Sequence, residues 1–293
     1  FLRQTHRVRD VTIAPDETWV CDGVRVDPHV LLRQADVVVN ALHGAYGEDG
    51  RVQRILERSG VAFTGSGSFA SALAMNKQWA KRVLRNAGCT VPHAQTVSFD
   101  TYDRTVARTL FKTFPLPAVI KPAAGGSSIG VTIAQTLDGI EDGLAAVFEH
   151  HQTALIEEFI SGKEATCGVI EGFRGTELYA LVPVEIRPPE DAPFFDYEAK
   201  YGGQTQELCP GEFSAEERRQ IQEAALTAHE ALGLSHYSRT DMILHPRRGL
   251  YVLEVNSLPG MTHESLFPKS LAAVGSSVEE FLHTIIERAQ KRR

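Results

Sequence analysis

Apolar residues follow two different spacings along the chain. In its first part, short apolar runs such as RVRDVTI and ADVVVNAL (35–42) are followed by segments such as GRVQRILERSG, in which apolar residues recur every three or four positions. The runs predict buried strands and the segments predict amphipathic helices. Later in the chain, PAVIK, TALIEEF, ATCGVI and LYALVPVEI predict strands that follow one another with few helices between them. That second pattern indicates an antiparallel α+β arrangement rather than repeated βαβ units.

Polar residues at the ends of the amphipathic segments mark helix boundaries. Asn76 stands before KQWAKRVLRNAG and is expected to cap that helix at its N-terminus. The buried stripe of this helix is expected to consist of Ala80, Val83, Leu84 and Ala87, which share one face at helical spacing. At the end of the chain, VEEFLHTIIERAQKRR predicts a last amphipathic helix.

Two consecutive strands near the C-terminal end carry polar residues among apolar ones. In YVLEVN, Glu254 and Asn256 point to the same face because strand side chains alternate. The preceding strand SRTDMIL (238–244) places Arg239 and Asp241 on one face, and it is the expected hairpin partner. Facing strands would bring Asp241, Glu254 and Asn256 together as oxygen ligands for a hard cation, whose charge would relieve the repulsion between the carboxylates. The alternative is an ordinary ion pair between Arg239 and one carboxylate on a surface strand.

A glycine- and serine-rich loop follows the strand that ends at Lys121. In VIKPAAGGSSIG, small residues allow backbone N–H groups to close over an anion, and a lysine suits a phosphate group as a point charge. Taken alone, the stretch also fits a flexible hairpin with a solvated lysine. Together with the acidic cluster, the loop predicts a nucleotide site that lacks a Walker motif.

Two other motifs match enzyme signatures only in part. GSGSFA (65–70) fits the dinucleotide pattern G-x-G-x-x-A, but the region about 20 positions on is helical and lacks the acidic residue that the pattern requires. A tight strand-to-helix turn is the favoured interpretation. GSSIG (126–130) fits the hydrolase pattern G-x-S-x-G, with Asp241 and His263 in the matching order, but the VTIA that follows is strand-like where a nucleophile elbow needs a helix. A serine hydrolase is therefore disfavoured.

Composition narrows the class of protein. The chain has 293 residues and a formal net charge of −7, which argues against an electrostatic nucleic-acid binder. Its four cysteines are far apart in sequence, which favours free thiols in a reducing compartment over disulfides or a zinc site. No apolar run approaches the about 18 residues of a membrane helix, and we see no signal peptide. We therefore expect a cytoplasmic protein without nucleic-acid or membrane partners.

Five long motifs occur in a characteristic order from about residue 35 to the end of the chain. They are ALHGAYGEDGRVQRILERSGVAFTGSGSFASALAMNK, IKPAAGGSSIGV, FFDYEAKY, RTDM and LEVNSLPGMTHESLFP. Together they resemble the D-alanine–D-alanine ligase family of the ATP-grasp superfamily. The resemblance implies an ATP-grasp fold that combines α/β and α+β units, with a truncated Rossmann-like N-terminal domain (1–76), a central ATP-grasp subdomain (77–162), and a C-terminal ATP-grasp domain (163–293) with a lid loop (188–205).

The resemblance also implies a reaction. ATP would phosphorylate the carboxylate of one D-alanine, and the amine of a second D-alanine would attack the resulting acyl phosphate to give D-alanyl-D-alanine for peptidoglycan synthesis. The implied cofactors are ATP and two Mg²⁺ or Mn²⁺ ions. The resemblance alone also suggests a homodimer. Two alternatives are a D-alanine–D-lactate ligase, which carries a different lid residue in place of Tyr201, and an ATP-binding protein without ligase activity.

Roles follow for the residues at matching positions. The residues implied in ATP binding are Lys77, Lys121, Ser128, Glu157, Glu158, Ile160, Glu164 and Lys200. The residues implied in catalysis are Arg239, Gly260, Ser127, Tyr201 and His43. The residues implied in substrate binding are Glu48, Ser265 and Leu266. The implied metal ligands are Asp241, Glu254 and Asn256.

The N-terminal end departs from the family pattern. The family normally begins with a strand, a glycine-rich loop and a Ser-x-Glu segment whose glutamate contacts the first D-alanine, and none of these precedes Phe1. We expect either a fragment of a complete enzyme or a chain that lacks part of its first-substrate site.

Overall fold

The computed structural model describes residues 2–125, 130–188 and 205–291. The helices in these ranges are α1 Pro28–Leu32, α2 Arg51–Ser59, α3 Ser68–Met75, α4 Lys77–Asn86, α5 Arg104–Thr113, α6 Leu137–Phe148, α7 Ala215–Ala231, α8 Leu266–Ala273 and α9 Val278–Lys291. The strands are β1 Val11–Ile13, β2 Trp19–Cys21, β3 Val24–Arg25, β4 Val37–Val38, β5 Ala62–Phe63, β6 Ala94–Ser98, β7 Ala118–Pro122, β8 Thr132–Ala134, β9 Thr153–Glu158, β10 Lys163–Glu171, β11 Leu178–Ala180, β12 Val184–Arg187, β13 Gln206–Leu208, β14 Tyr237–His245 and β15 Gly249–Asn256.

The N-terminal part contains two small sheets. Strands β1, β2 and β3 form an antiparallel meander, whose β2–β3 turn places Asp22 and Gly23 at φ 50° and 81°. Both residues are in the left-handed region that a two-residue hairpin turn requires. Strands β4 and β5 pair in parallel. The strand predicted over 35–42 is much shorter, because its partner β5 offers only two residues for pairing.

The middle part is built on a four-stranded antiparallel sheet in the order β6-β9-β7-β8. Helices α5 and α6 pack together, and α6 also lies against β7, β8 and β9. The core between them contains Ile120, Leu144 and Ile156, all fully buried. The other face of this sheet is free to form one wall of a cleft.

The C-terminal part is built on a six-stranded antiparallel sheet in the order β13-β12-β10-β14-β15, with β11 also paired to β10. Helix α7 packs on β10, β11, β14 and β15, and helices α3 and α4 also contact β15. A register shift between Asp241 and Met242 interrupts the pairing of β14 with β15. A bulge of this kind changes the direction of nearby side chains, and here it adjoins the predicted metal ligand.

The predicted helix boundaries are confirmed, whereas one predicted buried stripe is partly wrong. The Asn76 side chain accepts a hydrogen bond from the backbone N–H of Trp79 and caps α4. The buried residues of α4 are Ala80, Lys81 and Leu84, while Val83 is only partly buried and Ala87 is exposed. Lys81 can belong to the buried stripe because its ammonium group is paired with the carboxylate of Glu157 on β9.

Two further expectations concern the surroundings of the protein. Cys21, Cys89, Cys167 and Cys209 are all free thiols, as predicted. None of the helices in the described part of the chain has the length and apolarity that a membrane span requires. The domain boundaries at residues 76 and 162 stay predictions.

Candidate nucleotide and metal site

A cleft of about 170 Å³ lies where the four-stranded and six-stranded sheets meet. Its apolar lining consists of Pro92, Val119, Pro122, Val131, Ile133, Phe159, Ile160, Ile243 and Leu253. Its charged lining consists of Lys77, Lys121, Glu157, Glu158, Glu164, Asp241 and Glu254. A pocket that is mostly apolar with charged groups at defined positions is typical of a small-molecule site, and a nucleotide base would suit the apolar part.

Carboxylates in the lining outnumber the lysines, yet four of them are matched by nearby cations. These ion pairs are Glu157–Lys121 at 2.9 Å, Glu158–Arg248 at 2.8 Å, Asp241–Arg239 at 2.8 Å and Glu254–Lys77 at 3.2 Å. Arg239 and Arg248 do not themselves line the cleft. The cleft is therefore less negative than its lining alone would make it, which matters for an anionic ligand.

Glu157 lies between two buried lysines. Its Oε2 is 2.9 Å from Lys121 Nζ and its Oε1 is 3.0 Å from Lys81 Nζ. Burial alone would raise the pKa of Glu157, but the charges of Lys121 and Lys81 overcome this and hold it below its usual range. Burial lowers the pKa of Lys81 to about 8, whereas the Glu157 and Glu254 carboxylates outweigh the burial of Lys121 and raise its pKa.

Asp241 is held by four hydrogen bonds. Arg239 donates to it through Nε and Nη2 at 2.9 and 2.8 Å, Thr166 Oγ1 donates at 2.6 Å, and Asn256 Nδ2 donates at 2.9 Å. A carboxylate has about four lone-pair positions, so these donors occupy its full accepting capacity. Strand pairing produces this arrangement, since Asp241 lies opposite Glu254 and Arg239 lies opposite Asn256.

The predicted metal ligands fit a hard cation by their chemistry. Two carboxylates and one amide oxygen are the donors that Mg²⁺ and Mn²⁺ prefer. Asp241 would have to exchange one of its present donors for the cation, and Glu254 would have to exchange the Lys77 ammonium group. The described residues contain no cluster of three His, Cys, Asp or Glu side chains placed to hold a metal. The amide of Asn256 and oxygens of the nucleotide would therefore complete the ligand set.

Glu48 lies beside the end of the cleft that carries Lys77 and Glu254. A second, smaller cavity is lined by Glu48 together with Lys77, Glu254 and Asn256. Glu48 accepts a hydrogen bond from the backbone N–H of Gly44 at 2.6 Å, and burial raises the pKa of its carboxyl group. The structure thus places the predicted substrate-binding Glu48 next to two predicted metal ligands.

His43 is oriented by the loop after β15. Its Nδ1 is 3.1 Å from the carbonyl oxygen of Leu258. Because a carbonyl only accepts, this contact places a proton on Nδ1 and leaves Nε2 as an acceptor in the neutral ring. The predicted role of His43 near the substrate is compatible with this tautomer.

Gly260, Ser265 and Leu266 lie close together at the start of α8. A Cβ atom at Gly260 would come within 2.7 Å of Ser265 Oγ, so any other residue at this position would displace that hydroxyl. Ser265 Oγ is 2.8 Å from Thr262 Oγ1 and makes no cap bond to α8, although Ser265 occupies the N-cap position. The substrate-binding role of Ser265 stays a prediction.

Several predicted site residues lie outside the described residues. They are Ser127, Ser128, Lys200 and Tyr201, together with most of the lid loop 188–205. Glu158 and Glu164 line the cleft, and the Glu158 carboxylate also accepts from the backbone N–H of His93 at 3.1 Å.

Three residues near the site were missed by sequence reasoning. They are Lys81, Thr166 and Arg248. Lys81 stands one helical turn after Lys77, and that spacing is the signal that could have placed both lysines on one face. Thr166 and Arg248 carry no comparable local signal.

The sequence matches family profiles over most of its length. Residues 3–66 match the profile described as D-ala D-ala ligase N-terminus, and residues 83–287 match that described as D-ala D-ala ligase C-terminus. The D-alanine–D-alanine ligase of Desulfotalea psychrophila is 41% identical to this chain over 252 residues, which are 84% of this chain and 76% of that protein. The chain belongs to the D-alanine–D-alanine ligase family.

Other members of the D-alanine–D-alanine ligase family resemble this chain in sequence and in fold. A D-alanine–D-alanine ligase of Halalkalibacterium halodurans is 39% identical over 290 residues, covering 98% of this chain and 90% of that protein. A crystal structure of D-alanine–D-alanine ligase from Bacillus anthracis complexed with ATP matches this chain with a TM-score of 0.74 at 34% identity, covering 89% of this chain and 82% of that one. The predicted ATP-grasp fold is confirmed.

Proposed function

We propose that this chain is an ATP-dependent ligase that joins two D-alanine molecules into D-alanyl-D-alanine and releases ADP and phosphate. The observation that carries the proposal is the convergence of two lysines and two carboxylates at one cleft, in a chain of the D-alanine–D-alanine ligase family. They are Lys77, Lys121, Asp241 and Glu254, and Asn256 lines the adjoining cavity together with Lys77 and Glu254. The product is a precursor for peptidoglycan synthesis.

The nucleotide would lie along the cleft with its base in the apolar part. Ile160 and the segment at Glu157 and Glu158 would face the adenine, and Glu164 would take the ribose hydroxyls. Lys77 and Lys121 would hold the phosphates, because an ammonium group binds phosphate oxygens through short, charge-assisted hydrogen bonds. Ser128 and Lys200 are proposed to close over the phosphates from the loops on either side.

Asp241, Glu254 and Asn256 would hold the Mg²⁺ or Mn²⁺ ions that accompany ATP. Bound ions of this kind neutralise charge on the transferring phosphoryl group and so supply much of the catalysis of phosphoryl transfer. The protein's own contribution is the position of these oxygen ligands, which strands β14 and β15 fix by placing Asp241 opposite Glu254.

The ligation proceeds in two chemical steps. A carboxylate oxygen of the first D-alanine attacks the γ-phosphorus of ATP, and the bond from that phosphorus to ADP breaks, which gives D-alanyl phosphate. The neutral amine of the second D-alanine then attacks the carbonyl carbon, a C–N bond forms, and the C–O bond to phosphate breaks after the amine has lost a proton. The intermediate between these events is tetrahedral and carries an oxyanion.

Arg239 and the backbone N–H of Gly260 would stabilise that oxyanion. Arg239 binds Asp241 through Nε and Nη2, so its Nη1 group is not used by that ion pair. One donor of this kind is typically worth about 3–4 kcal/mol in the transition state. Ser265 and Leu266 would bind and orient the carboxylate of the second D-alanine. Glu48 would help to bind substrate, and His43 would either contact the substrate or orient the loop that carries it.

Ser127 and Tyr201 are proposed to form the hydrogen-bonded link that closes the lid loop over the first substrate. The tyrosine in DYEAKY is the dipeptide-forming residue at this lid position, so ester formation with D-lactate is not favoured.

We further propose that the reaction takes place in the cytoplasm, where ATP is available. The four free cysteines agree with a reducing compartment. The enzyme is proposed to act on small-molecule substrates, either alone or as a homodimer.

ADP release by the purified chain tests the proposal. ATP and Mg²⁺ are supplied with D-alanine, or with D-alanine and D-lactate, and the products are separated and identified. We expect ADP release that depends on D-alanine and yields D-alanyl-D-alanine, and we expect K121M to lose it while K112M, which removes an exposed lysine of α5, retains it. Preferential formation of the D-lactate ester, or ATP binding without D-alanine-dependent release, would overturn the proposal.

A further inference from the structure

Lys81 is a buried cation that does not line the nucleotide cleft. Only 3% of the residue is exposed, and its ammonium group is 3.0 Å from Glu157 Oε1 and donates to the carbonyl oxygen of Leu253 at 3.0 Å. It lies one turn beyond Lys77 on α4, and the cavity lining contains Lys77, Lys121 and Glu157 but not Lys81. A lysine is rarely buried so completely, because its charge has to give up its hydration. The position therefore calls for a functional explanation.

Glu157 is shared between two lysines. Lys121 lies 2.9 Å from one of its oxygens and Lys81 lies 3.0 Å from the other. With all three groups charged, the cluster carries a net charge of +1, since two lysines face one carboxylate. If Lys81 were neutral, Glu157 and Lys121 would form a neutral pair at the position where phosphates are to bind.

We propose that Lys81 is a positioning residue that offsets the charge of Glu157, so that Glu157 does not cancel the positive charge of Lys121 where the phosphates of the nucleotide bind. The inference rests on the proposed function, because that function makes a nucleotide the ligand of the cleft. Lys81 would thus contribute to nucleotide binding without contacting the substrates or the reacting atoms. Glu157 would have a second role, as the ion-pair partner of both lysines, besides facing the adenine.

The protonation equilibria agree with this role. Burial lowers the pKa of Lys81 to about 8, and the Glu157 carboxylate acts in the opposite direction. Lys121 is also buried, yet its pKa is raised by the nearby carboxylates. Burial of a charged group together with a specific charge partner beside a cleft is a combination that often marks a functional site.

A purely structural role for Lys81 makes a different prediction. Its hydrogen bond to Leu253 connects α4 to β15, and the loss of this bond would loosen the whole cleft. All ligands of the cleft would then bind more weakly, whether or not they carry phosphate. Compensation of charge, in contrast, affects only the phosphate part of the ligand.

The test compares the dissociation constants of Mg-ADP and adenosine for four forms of the full chain: wild type, K81M, E157Q and K81M/E157Q. The ratio of the adenosine constant to the ADP constant measures the phosphate contribution and cancels changes in the adenine contact. The summed charge of the cluster is +1 in wild type, 0 in K81M, +2 in E157Q and +1 in the double variant. One charge several ångströms from a phosphate changes affinity by about tenfold in a partly buried site.

We expect the ratio to fall about tenfold in K81M, to rise in E157Q, and to return to within about threefold of wild type in the double variant. K112M serves as the matched control, because it removes one exposed lysine from the same part of the chain and should leave the ratio unchanged.

Two results would overturn the inference: a ratio in K81M that is unchanged, as an equal loss of ADP and adenosine affinity would make it, or a ratio in the double variant that is lower than that in K81M. If K81M does not fold, the effect of Lys81 is measured by comparing the double variant with E157Q. The inference requires a lower ratio in the double variant, and an equal ratio would overturn it. Ligation of D-alanine by the wild-type chain is measured in parallel. Its absence would refute the proposed function, while the ratio would still report on Lys81.

Discussion

The ammonium group of Lys77 lies 3.2 Å from Glu254 Oε2 and donates to the carbonyl oxygen of Gly125 at 2.6 Å. Lys77 opens α4, Glu254 belongs to β15, and Gly125 stands at the start of the glycine-rich loop. One side chain thus connects the three elements from which the phosphate end of the cleft is built.

Replacement of Lys77 by methionine should weaken ATP binding by at least about tenfold, because a hydrogen bond to a charged group typically contributes about 1.5–3 kcal/mol. The loss also leaves the Glu254 carboxylate without its ammonium partner. Calorimetric titration of K77M with Mg-ATP measures the effect, and K112M is the control. An unchanged affinity for Mg-ATP would show that Lys77 is only the ion-pair partner of Glu254 and does not bind the nucleotide.

Replacement of Asp241 by asparagine should reduce ligase activity by at least about a hundredfold and destabilise the protein by ~3 kcal/mol, because it leaves the half-buried Arg239 without its carboxylate. Urea unfolding and turnover with saturating substrates measure the two effects.

The matched control for D241N is T166V, which removes only one of the four donors to Asp241. T166V should cost about 1 kcal/mol and change activity by less than about threefold. Equal losses in the two variants would contradict the view that the carboxylate itself is required.

The site was predictable where it depended on local pattern. Alternation along β15 placed Glu254 and Asn256 on one face, and the short connection to β14 predicted the hairpin that sets Asp241 opposite Glu254. The hydrogen bond of Thr166 to Asp241 was not predictable, because β10 pairs with β14 across 75 residues of sequence. Spacing along one segment carries no information on such a pairing.

The burial of Lys81 escaped prediction for a different reason. A lysine in an amphipathic pattern is normally assigned to the solvent face, since it is almost never fully buried unless it is paired. Its partner Glu157 lies on β9, which is remote in sequence. Only the folded structure brings the two charges together.

Glu171 predicts a dependence of stability on pH. Burial would raise the pKa of this carboxyl group, but His229, whose Nε2 lies 3.6 Å from Oε1, and the backbone N–H and ring of His236 lower it from 4.5 to about 2. A depressed pKa in the folded state stabilises the protein above the unfolded value, and that stabilisation is lost as the pH falls from about 4.5 towards 2.

The variant E171Q should therefore have a lower free energy of unfolding than wild type at pH 7, and the difference should shrink as the pH falls below 4.5. Denaturant unfolding over this range measures the difference. E149Q, at the exposed end of α6, is the control and should follow the wild-type curve. A difference that stays constant with pH would contradict the assignment to Glu171.

Arg248 and Glu158 form an ion pair at the edge of the cleft at 2.8 Å, with 42% of the arginine side chain exposed. Exposed pairs contribute little, so R248A should cost less than about 1 kcal/mol of stability, and less at high salt. The KM for ATP should rise by less than about threefold, because Arg248 does not line the cleft. A tenfold rise in the KM for ATP would instead indicate that Arg248 contacts the nucleotide directly.

The central claim is that the carboxylate of the first D-alanine is phosphorylated before the peptide bond forms. The most direct test supplies D-alanine labelled with ¹⁸O in its carboxyl group and measures the mass of the phosphate released with ADP. Because the oxygen that attacks the γ-phosphorus leaves with it, we predict that the phosphate formed with each D-alanyl-D-alanine carries one ¹⁸O. Unlabelled phosphate would contradict the acyl phosphate and the account of the site built on it.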